Sequence, residues 1–128
     1  MAGKMFVHVA LTINDALEIN DFYSDILGFE EKRRFVLDKE LTGKLFGIEE
    51  DTEIITIEKD GLILEIFVSD RKNSINFEHT CIRIDNREEV IKKVREKNYP
   101  CVVVKRDEMD LVFIKDGSNN LFEVQQFM

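Results

Sequence analysis

Residues 6–28 read FVHVALTINDALEINDFYSDILG, and a change of period inside this stretch decides the fold. FVHVALTI is rich in β-branched side chains and reads as a strand. From Asn14 onward, Ile19, Phe22, Tyr23, Ile26 and Leu27 recur at helical spacing. Asp15 followed three residues later by Glu18 has the form of a capping box, and Gly28 supplies a stop. The stretch predicts a strand running into a helix.

The same punctuation returns at residue 77. FEHTCIRI is followed by Asn86 as N-cap, by Glu89 three residues on, and by Val90, Ile91 and Val94 as an apolar stripe that Asn98 and Pro100 end. With His8 placed over His79, Leu11 falls on Ile82, Ile13 on Ile84, Asn14 on Asp85 and Ile19 on Val90 without a gap.

The two halves also close alike. EIITIEKDG (53–61) leads into LILEIF (62–67), and LVFIKDG (111–117) leads into SNNLFEVQQF (118–127), so each KDG is a hairpin turn signal and Glu65 corresponds to Glu123. One further strand fits between helix and hairpin in each half, at about 30–37 and 101–105, and DKELTGKLFGI (38–48) predicts a short helix ending at Gly47. The fold class is therefore α+β, with two βαβββ modules, about 4–70 and 75–128, forming a curled mixed sheet within one domain, 1–128. Such a duplicated sheet carries its helices on one side and leaves the other face open.

A chain of 128 residues, 44% hydrophobic, is long enough to bury a core. Its formal net charge of −8 opposes phosphate backbones and anionic membrane surfaces, which argues against nucleic acid and membrane as partners. The bases Lys92, Lys93, Arg95 and Lys97 are interleaved with Glu88, Glu89 and Glu96 and read as a solvated helix face. Cys81 and Cys101 form no CxxC and are expected as buried free thiols in a reducing compartment. No apolar stretch reaches the ~20 residues that span a bilayer, and MAGKMFVHVA lacks the long apolar region of a signal peptide, so a soluble cytoplasmic protein is expected.

Strand alternation puts Val7, Val9, Leu11 and Ile13 under the helix and turns His8 to the open face. In the repeat, Thr80, Ile82 and Ile84 face the helix while Phe77, His79, Cys81 and Arg83 look the other way. Glu65 shares its face with Ile63 and Phe67, and Glu123 shares its face with Leu121 and Gln125. A carboxylate inside so apolar a run as LILEIF needs a partner, because burying it alone costs several kcal/mol. Taken singly, a strand histidine is most often a packing or surface residue. What favours a ligand set is coincidence of position, since His8, Glu65, His79 and Glu123 occupy matching places in the repeat and use every histidine in the chain. Two imidazoles and two carboxylates suit a divalent ion tolerant of mixed donors, namely Zn, Ni, Co, Mn or Fe. No phosphate-cradling glycine loop, GxSxG elbow or HExxH is present.

HVALTINDALEINDFYSDILGF (8–29) resembles the opening of the vicinal oxygen chelate superfamily, which includes glyoxalases, bleomycin resistance proteins and dioxygenases. FEHTCIRIDN (77–86) through FIKDGSNNLFEVQQF (113–127) is similar to that superfamily's close. The resemblance covers nearly the whole chain and implies a cup of paired modules around a divalent metal. It implies His8, Glu65, His79 and Glu123 as the metal ligands, one from each of the first, fourth, fifth and eighth strands. A full His, Glu, His, Glu set looks most like glyoxalase I, whereas the dioxygenases and fosfomycin transferases typically use three ligands and the epimerase usually has Gln at the place of Glu65. Arg33 resembles an arginine that glyoxalase I uses toward a substrate carboxylate. The closing turn departs from the family's aspartate, proline, aspartate, glycine pattern, and 37–51 matches no glyoxalase substrate loop.

The activity that follows is a metal-dependent, glyoxalase-like lyase or isomerase removing a proton next to a carbonyl of a small oxygen-chelating substrate. Glu123 is expected as general base and Glu65 as returning acid or second base. An iron-dependent dioxygenase and a non-catalytic, resistance-type binding protein are the alternatives on the same fold. A homodimer is implied by the superfamily, and the ligand set is open to closure within one chain or across two.

Overall fold

The computed structural model describes residue 3, residues 5–71 and residues 76–128, so the expected boundary between the modules lies partly outside the described residues. The chain runs through β1 (Val9–Ile13), a helical turn (Ile19–Ser24), β2 (Glu30–Leu37), α1 (Lys39–Phe46), β3 (Thr52–Lys59) and β4 (Leu62–Val68). It continues through β5 (Thr80–Ile84), α2 (Arg87–Glu96), β6 (Cys101–Val104), β7 (Leu111–Lys115) and β8 (Leu121–Gln126).

Two four-stranded sheets repeat one topology, β1-β4-β3-β2 and β5-β8-β7-β6. In each the first strand pairs in parallel with the last, and the other pairings are antiparallel. The first KDG makes a two-residue hairpin turn with Asp60 and Gly61 both at positive φ, 49° and 85°, the geometry that Asp-Gly tolerates best. Asp38 caps α1 by accepting from the Leu41 amide, and Gly47 ends it in the left-handed conformation at φ 72°.

The first helical segment departs from expectation. Ile19–Ser24 is wound as a π-helix, with Asp25 N donating to Asn20 O and Leu27 N to Phe22 O, five residues back. The wider winding narrows the angle between successive side chains, which lets the neighbours Phe22 and Tyr23 both be fully buried. The expected capping box does not form. Asp15 accepts locally from the Leu17 amide, while Glu18 accepts from the Gly117 amide of the second module.

One apolar cluster joins both modules, with Ile13, Phe22, Tyr23, Leu64 and Ile66 from the first meeting Ile82, Val90, Val94, Phe122 and Val124 from the second. Each fully buried side chain of this size contributes about 1.5–3 kcal/mol. Phe22 stands edge-on to Tyr23 and to Tyr99 at 5.0 Å, and Tyr23 meets Phe122 at 5.9 Å. Lys93 and Lys97 do not simply face water as expected, because their ammonium groups donate to the Asp25 and Asp21 carbonyls.

The second KDG turn acts as a clasp. Asp116, 2% exposed, accepts from the Tyr23 hydroxyl at 2.6 Å, from the Ser118 and Asn120 amides, and from Asn120 Nδ2. Asn14 N donates to Ser118 Oγ at 2.9 Å, and Asn120 Nδ2 donates to Thr12 O at 2.8 Å. A carboxylate with this many donors tolerates burial. Burial first, and then the Asp116 charge, push the Tyr23 hydroxyl well above its usual pKa.

Candidate metal centre

Both candidate histidines stand at the residue before their strand, and both carboxylates sit centrally in the parallel neighbour. The structure assembles the four expected ligands as two pairs. His8 Nε2 lies 3.6 Å from Glu65 Oε2, and His79 Nε2 lies 3.9 Å from Glu123 Oε1. Among the described residues, no group of three or more His, Cys, Asp or Glu side chains is placed to hold a metal. Each pair occupies the face of its own sheet opposite the shared core, because Leu64, Ile66, Phe122 and Val124, the strand neighbours of the two carboxylates, are buried in that core.

Glu65 is therefore less enclosed than LILEIF suggests. Its side chain is 26% exposed, and that of Glu123 is 21% exposed. Neither pair is within hydrogen-bonding distance. Two donors each about 2.1 Å from one ion and roughly at right angles lie about 3 Å apart, so both separations come close to what a chelating pair requires. In the second pair, His79 Nδ1 lies 2.9 Å from the Phe77 carbonyl. A carbonyl only accepts, so Nδ1 donates to it, and Nε2 is the nitrogen turned toward Glu123. This is how a ligating imidazole is held by its other nitrogen. The donor types suit a divalent ion, and each pair offers one imidazole and one carboxylate toward it.

The strand register places Arg33 on the same face. Arg33 is opposite Thr56 and Thr56 opposite Glu65, so the three form one row across the first sheet. A bulge between Glu31 and Arg33 produces this, re-aiming the arginine by one position. The two adjacent arginines separate cleanly. Arg34 is paired with Glu31 and Glu53, whereas Arg33 lies over the Phe35 ring at 4.3 Å. The equivalent row of the second sheet is Val102, Phe113, Glu123 and Cys81, which is largely apolar.

Two residues near the second pair, Arg83 and Gln125, carried no assigned role in the sequence. Gln125 Nε2 donates to Glu123 Oε2 at 3.4 Å, and Arg83 donates through Nε and Nη2 to Gln125 Oε1 at 3.2 and 3.0 Å. Alternation placed both on this face, but only the parallel register sets Arg83 opposite Gln125. Cys81 is exposed beside Glu123, and Cys101 is half-buried, so the expected pair of buried thiols is corrected: alternation turns Cys81 away from the core. Desolvation, then the charge and hydrogen bond of Glu123, raise the Cys81 thiol pKa, which keeps it protonated.

A family model described as the glyoxalase/bleomycin resistance protein/dioxygenase superfamily matches residues 5–124. The glyoxalase family protein from Enterococcus faecalis aligns with a TM-score of 0.68 at 21% identity, over 94% of this chain and 96% of that one. The genomically encoded fosfomycin resistance protein FosX from Listeria monocytogenes aligns with a TM-score of 0.73 at 16% identity, over 100% and 96%. A variant of that protein was solved with Mn(II) and 1S,2S-dihydroxypropylphosphonic acid; it aligns with a TM-score of 0.72 at 16% identity, over 98% of this chain and 92% of that one. No curated protein matches the sequence. No helix among the described residues is long and apolar enough to cross a membrane.

Proposed function

The chain belongs to the glyoxalase/bleomycin resistance protein/dioxygenase superfamily, and from that premise we propose that it is a metal-dependent lyase or isomerase acting next to a carbonyl. The observation that carries this reading is the pair of His–Glu sites, each close to chelating geometry and each half of a shell. Since the halves lie apart in one chain, the reading includes a homodimer in which His8 and Glu65 of one copy meet His79 and Glu123 of another. Two-fold symmetry would then form two such sites. Phe6 and Phe77, each two residues before a ligand histidine, are 64% and 98% exposed, and apolar side chains so placed favour cover by a second copy.

A divalent ion held there supplies Lewis acidity toward vicinal oxygens of a substrate. The chain's own residues do the rest. Glu123 removes the proton beside the carbonyl, and Glu65, from the opposite sheet, returns it or serves as second base. Arg33 holds an anionic end of the substrate in line with Glu65, and Phe113 with Val102 form an apolar wall beside Glu123. That a FosX variant with the same fold holds Mn(II) and a small phosphonate with vicinal hydroxyls supports a compact, anionic, oxygen-rich substrate.

The test is elemental analysis of the purified protein and its His8→Ala and His79→Ala variants after dialysis against Mn, Ni, Co, Zn and Fe(II), followed by assay with hemithioacetals. About one ion per chain in the parent and loss in both variants is expected. A parent that stays empty against every ion overturns the reading.

A further inference from the structure

We infer that Arg83 and Gln125 are positioning residues that fix the Glu123 carboxylate as a ligand, a role that rests on the metal reading above. The two oxygens of Glu123 have different surroundings: Oε1 faces His79 Nε2 at 3.9 Å, and Oε2 accepts from Gln125 Nε2 at 3.4 Å. The amide of Gln125 is oriented from both ends. A guanidinium only donates, so Oε1 of Gln125 must face Arg83, which it meets at 3.0 and 3.2 Å. That leaves the amide nitrogen for the carboxylate, which only accepts. The carboxylate is thereby kept from rotating, with Oε1 turned to the histidine.

The relay belongs to the second module alone. The positions matching Arg83 and Gln125 are Thr12 and Phe67, paired in the same parallel register. Phe67 has no donor to offer Glu65, and its ring instead packs edge-on against Phe46 at 5.4 Å. The repeat therefore carries two carboxylates in matching places with unequal support. Groups that orient a ligand in this way are worth roughly 10–100-fold in metal affinity. Gln125 contributes by direct contact and Arg83 acts only through Gln125.

Cobalt(II) titration of the full chain, read by visible ligand-field absorption, tests the assignment without any substrate. Gln125→Leu should weaken cobalt binding about tenfold or more and alter the band shape. Arg83→Met should act in the same direction, and Arg83→Met should add little on the Gln125→Leu background. Arg83→Lys, which keeps a donor, should recover part of the loss. Arg83 is on the surface, so it keeps the test alive if Gln125→Leu does not fold, as judged by the metal-free melting temperature. Parental affinity and spectrum in Arg83→Met overturn the relay and leave the metal reading standing. An undiminished effect of Arg83→Met on the Gln125→Leu background also overturns it. A parent that binds no cobalt removes both.

Discussion

Tyr23 and Asp116 join the two modules through one buried hydrogen bond of 2.6 Å. Because Asp116 also orders its own turn, loss of the phenol should be felt on both sides. Tyr23→Phe should cost about 2 kcal/mol at neutral pH, the scale of a hydrogen bond to a charged group. The variant should also change the alkaline limb. The Tyr23 pKa is raised in the folded state by burial and by Asp116, so above about pH 10 the unfolded chain releases a proton that the native one retains. Stability present below pH 10 is therefore lost as pH rises beyond it. Tyr99, pushed up to about 12 by burial first, adds loss in the same direction. Urea unfolding between pH 8 and 11 should show a flatter fall for Tyr23→Phe than for the parent, and equal slopes would rule the assignment out.

The neighbouring arginines give a paired control. Arg33 shares the row of Glu65, while Arg34 is spent on Glu31 and Glu53. Arg33→Ala should weaken binding of small carboxylates or phosphonates to the metal-loaded protein about tenfold, near 1.4 kcal/mol. Arg34→Ala should leave that binding unchanged and cost at most about 1 kcal/mol of stability, as exposed ion pairs do. Calorimetric titration of both variants distinguishes them, and equal loss in the two would remove Arg33 from the substrate site.

A site shared between copies makes a distinctive prediction about mixtures. The His8→Ala variant keeps an intact second pair, and the His79→Ala variant keeps an intact first pair. In a mixed dimer, one site joins the two damaged halves and the other joins the two intact halves. Refolding the variants together should therefore restore metal binding that neither has alone, to about a quarter of the parental amount if subunits mix at random. Sedimentation with metal analysis reads both assembly and occupancy. No recovery from a confirmed mixed dimer would count against a shared shell.

Much of this was legible in the residues, for identifiable reasons. Gly28, Gly47 and the first KDG mark real chain reversals because all three glycines sit at positive φ, where few other residues are comfortable. The strand at 30–37 follows from the room left between helix and hairpin, and β3 from the EIITIEK run ahead of the first KDG. What escaped was long-range. Glu18 looked like half of a capping box but satisfies Gly117, ninety-nine positions away, and no local pattern reports such a partner. The π winding of Ile19–Ser24 is set by the need to bury Phe22 and Tyr23 together against the second module, again a tertiary demand. The face of each candidate ligand was countable, since strand period is two. The division of the ligands into separate pairs was not, because alternation says nothing about how one sheet is placed against another.

The carboxylate assigned to proton removal can be tested apart from the one assigned to its return. Glu123→Gln preserves the shape of the side chain and leaves the other three expected ligands in place, so the metal should remain largely bound once loaded at saturating concentration. The base is lost, however, and turnover of a hemithioacetal should fall by two or more orders of magnitude with KM little changed. Solvent deuterium uptake at the carbon beside the carbonyl should fall in parallel, which separates a lost base from a misplaced substrate. Glu65→Gln should slow turnover as well, but should keep some exchange if its role is to return the proton. A metal-loaded Glu123→Gln protein with parental turnover would exclude Glu123 as the base and direct the search to Glu65, the other carboxylate paired with a histidine on an open sheet face.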